Sequence, residues 1–165
     1  MNPLRPVAIA IGRQPWLSRW LPAIVRVDQF LRRTTRGRFP LLRLAGLPEL
    51  YLTVPGRRSG IPRTTPLLCV PHEDGWLVAG SNWGRPRPPW WVGNLLAADT
   101  AEVDHRGRRT TVSPRLVTGP ERERLWARMV RTWPNFEEYA ARTDREIPVF
   151  LLEPVGQGRR SGDAG

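Results

Sequence analysis

Residues 53–94 read TVPGRRSGIPRTTPLLCVPHEDGWLVAGSNWGRPRPPWWVGN, and this stretch decides the fold. Apolar runs of strand length alternate here with turns rich in Gly, Arg and Pro. A Gly/Arg turn lies at 56–60, and a Trp/Pro-rich loop at 81–89 leads into a helix beginning near Pro89. Backbone amides, guanidinium groups and aromatic faces thus occur together, which predicts a site for a large, flat, anionic ligand.

The rest of the chain continues the pattern of short strands joined mainly by hairpins. Helices occur only at the crossings, which indicates a mainly β, α+β fold in which helices pack outside a small antiparallel barrel. A parallel doubly wound sheet would need regular strand–helix alternation, which this order lacks. The predicted strands are 50–54, 63–70, 76–80, 100–105, 109–117 and 148–153, and the predicted helices after residue 50 are 89–98, 120–133 and 136–142.

Composition narrows the class of protein further. A chain of 165 residues with 40% apolar content is long enough for one folded domain, and its apolar runs are far shorter than the roughly 20 residues that span a bilayer. The net charge is +11, and all 26 basic residues are Arg. A basic surface attracts phosphorylated or carboxylated small molecules, anionic lipid or nucleic acid. Because the Arg residues are spread without a recognised motif, we expect no specific nucleic-acid partner.

The N-terminal region has a different character from the rest. Apolar residues at spacings of three and four alternate with Arg on other faces, which predicts a basic amphipathic helix. Two alternatives follow: its apolar stripe packs on the barrel, or it lies on anionic membrane at the inner face of the cell membrane. We therefore divide the chain into a helical region at 1–40, a barrel domain at 41–155 and a disordered, Gly/Arg-rich tail at 156–165. The apolar stripe comprises Trp16, Trp20, Ile24, Val27 and Leu31.

Cysteine and histidine usage argues against thiol or metal chemistry. Cys69 is the only cysteine, so an intramolecular disulfide is impossible and a cytoplasmic location is the simplest expectation. Cys69 lies inside an apolar run, which predicts a buried small hydrophobe and not a nucleophile. His72 and His105 have no metal-ligand spacing with each other or with Cys69, so we predict no metal site.

Two segments carry the residues suited to anion binding. Arg57 and Arg58 lie in a Gly-flanked turn where a ligand can approach the backbone, and guanidinium groups bind phosphate or carboxylate bidentately. The alternative is an ordinary exposed hairpin turn. Arg63 and two threonines open the strand after this turn and add donors to the same patch. The segment Ser81–Gly84 offers a hydroxyl, an amide and Gly backbone that would complete a phosphate site.

Four motifs in order resemble a known family. They are GRRSGIPRTTPLL at 56–68, GSNWG at 80–84, PWW with NL at 89–95 and YAARTDREIPVFLLEP at 139–154. Together they resemble the deazaflavin-dependent nitroreductases, the F420H2-dependent reductases of actinobacteria, over about 50–154. The resemblance implies a single-domain split β-barrel of the flavin-reductase type, with about six largely antiparallel strands and coenzyme F420, an 8-hydroxy-5-deazaflavin, as cofactor.

The resemblance also assigns roles to residues of this chain. One group would hold the cofactor's phosphate and oligoglutamate tail, a second would run beside its ring, a third would close the phosphate side, and a fourth would support the loop. These groups are Arg57, Arg58, Ser59, Gly60 and Arg63; Thr65, Pro66, Leu67 and Leu68; Ser81, Asn82, Trp83 and Gly84; and Trp90 and Asn94. The family often has Lys where this chain has Arg58, which keeps the charge and changes its geometry.

The implied reaction is hydride transfer from reduced F420 to an electron-poor small molecule, such as a quinone, an enone or a nitroaromatic. Trp83, Trp133, Phe136 and Tyr139 would form the substrate pocket, and solvent or Tyr139 would supply the proton. Phe136 stands where the family's nitroreductases place a tyrosine, which argues against nitro-group activation. The alternative function is a non-catalytic carrier of F420, or of FMN in its place.

Overall fold

The computed structural model describes residues 47–156, together with Pro6, Ala10 and Ala23, which are helical. The predicted amphipathic helix within 1–40 and the tail beyond 156 lie outside the described residues, so the predicted domain division stays a prediction. In chain order, the elements are β1 (Glu49–Pro55), β2 (Pro62–Leu68), β3 (Val70–His72), β4 (Gly75–Ala79), a one-turn 3₁₀ segment (Asn82–Gly84), α1 (Trp90–Leu95), β5 (Ala101–His105), β6 (Arg108–Val117), α2 (Gly119–Thr132), α3 (Asn135–Ala141) and β7 (Val149–Pro154).

The strands form one antiparallel sheet in the order β2-β1-β5-β6-β7-β4-β3, curled into a half-barrel. The predicted fold class is confirmed, but the described sheet has seven strands where about six were expected. The predicted strand 63–70 is two strands that meet at Cys69. β2 pairs with β1 at one end of the sheet and β3 pairs with β4 at the other, because the chain leaves one edge and enters the opposite edge at this residue.

Side-chain alternation along the strands produces a core on each face of the sheet. On β4, Val78 belongs to one core and the adjacent Leu77 to the other. The first core fills the barrel interior, where α1 inserts Trp91, Val92 and Leu95 against the strands. The second core lies between the opposite face and helices α2 and α3. This arrangement places α1 beside the β1–β2 hairpin and the 3₁₀ segment, the two segments that we predict to bind an anion.

The helices follow local sequence signals closely. Pro120 lies in the first turn of α2, where its missing N–H costs nothing, and Leu125 and Met129 at a spacing of four form its buried side. Thr118 occupies the N-cap position without making a side-chain cap bond. None of the helices in the described part of the chain has the length and apolar character needed to cross a membrane.

The environment of Cys69 agrees with its expected role as a small hydrophobe. Its side chain is fully buried in the first core, and its backbone N–H donates to the Pro48 carbonyl at 3.0 Å. Burial, followed by the nearby Glu49 carboxylate, raises the pKa of the thiol to about 12. The thiolate, which is the reactive form, is therefore scarce at neutral pH.

We expect the folded protein to resist thiol reagents at neutral pH. Ellman's reagent should label Cys69 at least about a hundredfold more slowly in native protein than in urea-unfolded protein, since both access and ionisation require opening of the core. The rate of thionitrobenzoate release measures this. Equal rates in the two states would contradict the described burial.

Candidate functional site

The β1–β2 hairpin turn presents two exposed guanidinium groups. The Gly56 N–H donates to the Ile61 carbonyl at 3.0 Å and the Gly60 N–H donates to the Gly56 carbonyl at 2.7 Å, which closes a tight turn. Arg57 and Arg58 lie at its exposed tip. Neither forms an ion pair with any residue in the described part of the chain. These two side chains keep their donors available for an anion.

Helix α1 attaches this turn to the body of the protein. The Arg57 backbone N–H donates to Asn94 Oδ1 at 3.1 Å, and Asn94 is itself buried. A Cβ on Gly93 would lie 3.3 Å from Arg57 Nη1, so the absence of a side chain lets the guanidinium lie against the helix. Arg63 of β2 stacks over the Trp90 ring at 5.8 Å. The structure thus brings Arg57, Arg63, Trp90 and Asn94 together around α1.

The segment Ser81–Gly84 forms a second group of hydrogen-bond donors, separate from the hairpin turn. Ser81 has right-handed backbone angles, whereas Asn82, Trp83 and Gly84 have φ values of 45°, 60° and 77°. A right-handed residue followed by left-handed ones turns successive N–H groups toward one point, forming the concavity called a nest. The amides of Ser81, Asn82 and Trp83 donate no hydrogen bond to another residue that the structure describes. We call this segment the amide nest.

The backbone of the amide nest is strained, and both local hydrogen bonds and packing against α3 keep it in place. A left-handed conformation costs a non-glycine residue about 1 to 2 kcal/mol, and two such residues follow each other here. Local bonds hold the turn: the Gly84 N–H donates to the Ser81 carbonyl at 3.0 Å, and Asn82 Nδ2 donates to the Arg87 carbonyl at 2.7 Å. Gly84 lies so close to α3 that a Cβ would meet the backbone of Tyr139.

Strand β2 forms one edge of the described sheet. Thr65 pairs with Leu52 and Leu67 with Leu50, so both side chains lie on the face of the barrel interior. Pro66 and Leu68 alternate to the opposite face. The Thr65 hydroxyl oxygen is buried and has no hydrogen-bond partner among residues 47–156. Of the four residues predicted to run beside a ring, Thr65 therefore offers an unused polar group, and the other three offer apolar surface.

The four aromatic residues predicted to contact substrate lie together at α3. The Trp83 ring is 5.6 Å from Tyr139, and Phe136 meets Tyr139 edge-on at 6.3 Å. Trp133, Phe136 and Tyr139 are buried in the second core, whereas Trp83 is half-buried. Trp83 is therefore the member of this group best placed to reach a ligand.

Burial also governs the acidity of Tyr139. Desolvation raises the pKa of its hydroxyl, and hydrogen bonds from Trp133 and Asn135 partly offset that increase. The phenol therefore stays protonated at neutral pH and is a weaker acid than a tyrosine in water. Its proposed role as proton donor stays a prediction.

Arg145 contacts the candidate site, and sequence reasoning gave it no role. It lies between α3 and β7, and its guanidinium donates to the carbonyls of Gly80, Ser81 and Arg85 at 3.1, 2.7 and 3.0 Å. These acceptors precede it by 60 or more residues, so no local pattern connects them. Its place in the family motif at 139–154 is the one sequence signal, and that motif does not distinguish Arg145 from its neighbours.

These features form a donor-rich site with an aromatic margin. The guanidinium groups and the nest amides, which have no partner within the described part of the chain, are donors of the kind that bind phosphate and carboxylate, and Trp83 and β2 offer apolar surface. No nucleophile–base pair stands out among these residues, which suits a reaction whose chemistry belongs to a bound cofactor. The half-barrel belongs to the flavin-reductase-like split-barrel class, and this donor set is suited to an anionic cofactor.

Comparison with known proteins identifies the family within that class. Residues 24–154 match the model of the F420H(2)-dependent quinone reductase family. This chain belongs to that family; it is an oxidoreductase and its cofactor is F420. The resemblance drawn from its motifs is confirmed.

Individual relatives agree with this assignment. An F420H(2)-dependent quinone reductase of Mycobacterium tuberculosis is 32% identical over 144 residues, covering 82% of this chain and 97% of that protein. A solved F420-H2 dependent reductase is 34% identical with a TM-score of 0.60, covering 64% of this chain and 94% of its own. A solved domain-swapped dimer is 32% identical with a TM-score of 0.63, covering 81% and 97%.

Proposed function

We propose that this protein reduces a quinone with electrons from reduced F420, and that the amide nest and the Arg57–Arg58 turn hold the cofactor's anionic part. The observation that carries the proposal is a set of donors on both sides of α1 that have no partner among the residues the structure describes: three amides in the nest, and hairpin guanidinium groups without an ion pair. A quinone is the substrate class that the M. tuberculosis relative's name states.

Each part of the site has a distinct task in this proposal. Arg57, Arg58 and Arg63, with Ser59 and Gly60, bind phosphate and carboxylate groups, and the nest binds a further oxyanion. Thr65–Leu68 on β2 lies along the ring, and Thr65 supplies its unused hydroxyl. Trp90 and Asn94 keep the turn against α1. Bound F420 supplies the hydride, and the protein contributes orientation and exclusion of water.

In this proposal, the surface that binds the substrate is aromatic. Trp83 covers the quinone face, and Phe136, Trp133 and Tyr139 form the apolar layer beneath it through the ring contacts between Trp83, Tyr139 and Phe136. Since the Tyr139 hydroxyl is buried and its pKa is raised, its position favours solvent over Tyr139 as the source of the proton.

Titration with cofactor tests the proposal directly. F420 and FMN are each added to the protein while cofactor fluorescence is followed, and oxidation of reduced F420 is then measured with menadione, an enone and a nitroaromatic. We expect F420 to bind more tightly than FMN, and menadione to support the fastest oxidation. Binding of F420 without oxidation by any acceptor would favour a carrier, and absence of F420 binding would reject the proposal.

Replacing Tyr139 with phenylalanine separates the two proton sources. We expect turnover with menadione to stay within about twofold of wild type, because solvent can protonate the product oxygen. The melting temperature should fall by a few degrees, since loss of the hydroxyl removes hydrogen bonds worth about 1 kcal/mol each. A drop of about a hundredfold in kcat at unchanged cofactor affinity would instead assign the proton to Tyr139.

Peripheral membrane contact is a separate hypothesis that rests on the sequence of residues 1–40 alone. Its Arg/Trp pattern is typical of helices that lie on anionic lipid, where quinones dissolve. Co-sedimentation with anionic vesicles, with and without residues 1–40, tests it. Equal pelleting of the two forms would leave packing on the barrel as the alternative.

A further inference from the structure

The side chain of Arg145 bonds to backbone carbonyls on both sides of the amide nest. Nη2 donates to the Gly80 and Ser81 carbonyls at 3.1 and 2.7 Å, and Nε donates to the Arg85 carbonyl at 3.0 Å. Gly80 precedes the nest, Ser81 is its first residue and Arg85 follows its last. A single rigid, planar group thereby fixes the distance between the start and the end of the nest.

The nest needs such a constraint because its own conformation is unfavourable. Asn82 and Trp83 both have positive φ values, and residues in this region persist only where the surroundings over-determine them. The local bonds from Gly84 to Ser81 and from Arg85 to Asn82 span only the turn itself, at 3.0 Å each. Arg145 adds bonds from a different part of the chain.

The guanidinium of Arg145 hydrogen-bonds to the protein itself, whereas the guanidinium groups of Arg57 and Arg58 are exposed. All of its described hydrogen bonds from the guanidinium go to carbonyl oxygens, and Nη1 is buried with no partner in the part of the chain that the structure describes. Burial lowers the pKa of this guanidinium, which remains charged at neutral pH. Its position behind the carbonyls suits a residue that shapes the nest, and it places a positive charge close to the free amides.

We propose that Arg145 is a positioning residue that holds residues 81–84 in the anion-binding conformation before cofactor arrives. The inference rests on the proposed function of the nest, because it concerns how the same site is preorganised. If the nest formed only when F420 binds, the free energy spent on ordering the loop would weaken the affinity for F420. A nest that is already formed avoids this cost.

The test compares Arg145→Lys with Arg128→Lys. Lysine keeps the charge but cannot donate along the fixed fork of a guanidinium to three carbonyls. Arg128 is a matched control because its Nη2 also donates to a backbone carbonyl, that of Pro71 at 3.0 Å, on β3 away from the nest. Three readouts are needed: amide hydrogen exchange of residues 80–87 without cofactor, the Kd for F420, and the kcat and KM for menadione at saturating F420.

We expect Arg145→Lys to speed exchange in residues 80–87 and to raise the Kd for F420, each by about tenfold, which corresponds to about one charge-assisted hydrogen bond. The kcat and KM for menadione at saturating F420 should stay within about twofold, because the substrate side is unchanged. Arg128→Lys should match wild type in all three. Methylguanidinium should partly restore F420 binding to Arg145→Ala and should not affect Arg128→Ala.

Several results would overturn the inference. If Arg145→Lys changes neither the amide hydrogen exchange of residues 80–87 nor the Kd for F420, the nest keeps its conformation without Arg145. If neither Arg145→Lys nor Arg145→Ala unfolds cooperatively on heating, Arg145 is needed for the stability of the whole fold and not for the nest alone. If wild-type protein fails to bind F420, the proposed function is rejected, while the exchange comparison still decides whether Arg145 holds the nest.

Discussion

Replacing Gly84 with alanine is expected to destabilise the folded protein by about 3 kcal/mol and to lower its melting temperature by roughly 10 °C. Two costs combine. The φ of 77° is unfavourable for any residue with a Cβ, and that Cβ would meet Tyr139 backbone and lie 2.7 Å from the Arg142 Cβ. Because backbone cannot swing aside, the nest and α3 must move apart. Urea unfolding measures the loss of stability.

Gly107 provides a matched control for this substitution. Its φ is 82°, but no atom of the described residues lies within 4 Å of a Cβ built there. Gly107→Ala should therefore show the backbone cost alone, about 1 kcal/mol. The difference between the two variants measures the contact between the nest and α3. Equal losses of stability would mean that this contact is not tightly packed.

Gly84→Ala should also weaken F420 binding in the protein that remains folded. Separation of α3 from the nest moves Trp83 away from Tyr139 and releases the constraint on the free amides. We therefore expect a rise in the Kd for F420, whereas Gly107→Ala should bind as wild type does. These affinities are measured below the melting transition so that unfolding does not contribute.

Replacing both Arg57 and Arg58 with glutamine is expected to raise the Kd for F420 by about a hundredfold. Each charge-assisted hydrogen bond contributes about 1.5 to 3 kcal/mol, and 1.4 kcal/mol is a factor of ten in affinity. Stability should change little, because both side chains are exposed and form no ion pair within the described residues. Fluorescence titration and thermal melting measure the two effects.

Arg108 and Arg109 offer a control with the same loss of charge. Both are exposed on the β5–β6 hairpin, so their replacement by glutamine removes two positive charges without touching the hairpin turn of β1 and β2. We expect less than about a threefold change in Kd, from weaker long-range attraction alone. A deazaflavin that lacks phosphate and tail should bind equally to wild type and to the Arg57/Arg58 variant. If the two double variants lose equal affinity, net charge and not a specific clamp explains binding.

Much of the fold follows from local pattern. Gly and Pro mark the turns, the strands alternate between two cores, and Pro120 and Pro134 bracket the α2 helix. The error at Cys69 has a clear cause: an uninterrupted apolar run does not reveal that its two halves pair with opposite ends of the sheet. Strand pairing is a long-range property, so the seventh strand became visible only in the tertiary structure.

The candidate site, like the fold, was predicted from the sequence only in part. The sequence by itself determined the family and the cofactor class, because four motifs in order resemble the family, and it predicted which segments carry the binding residues. Only the tertiary structure decided that Asn82 and Trp83 are left-handed, that Arg145 bonds to the carbonyls around them, and that Tyr139 is buried. Those properties depend on contacts between residues about 60 positions apart, which residue type and spacing do not encode.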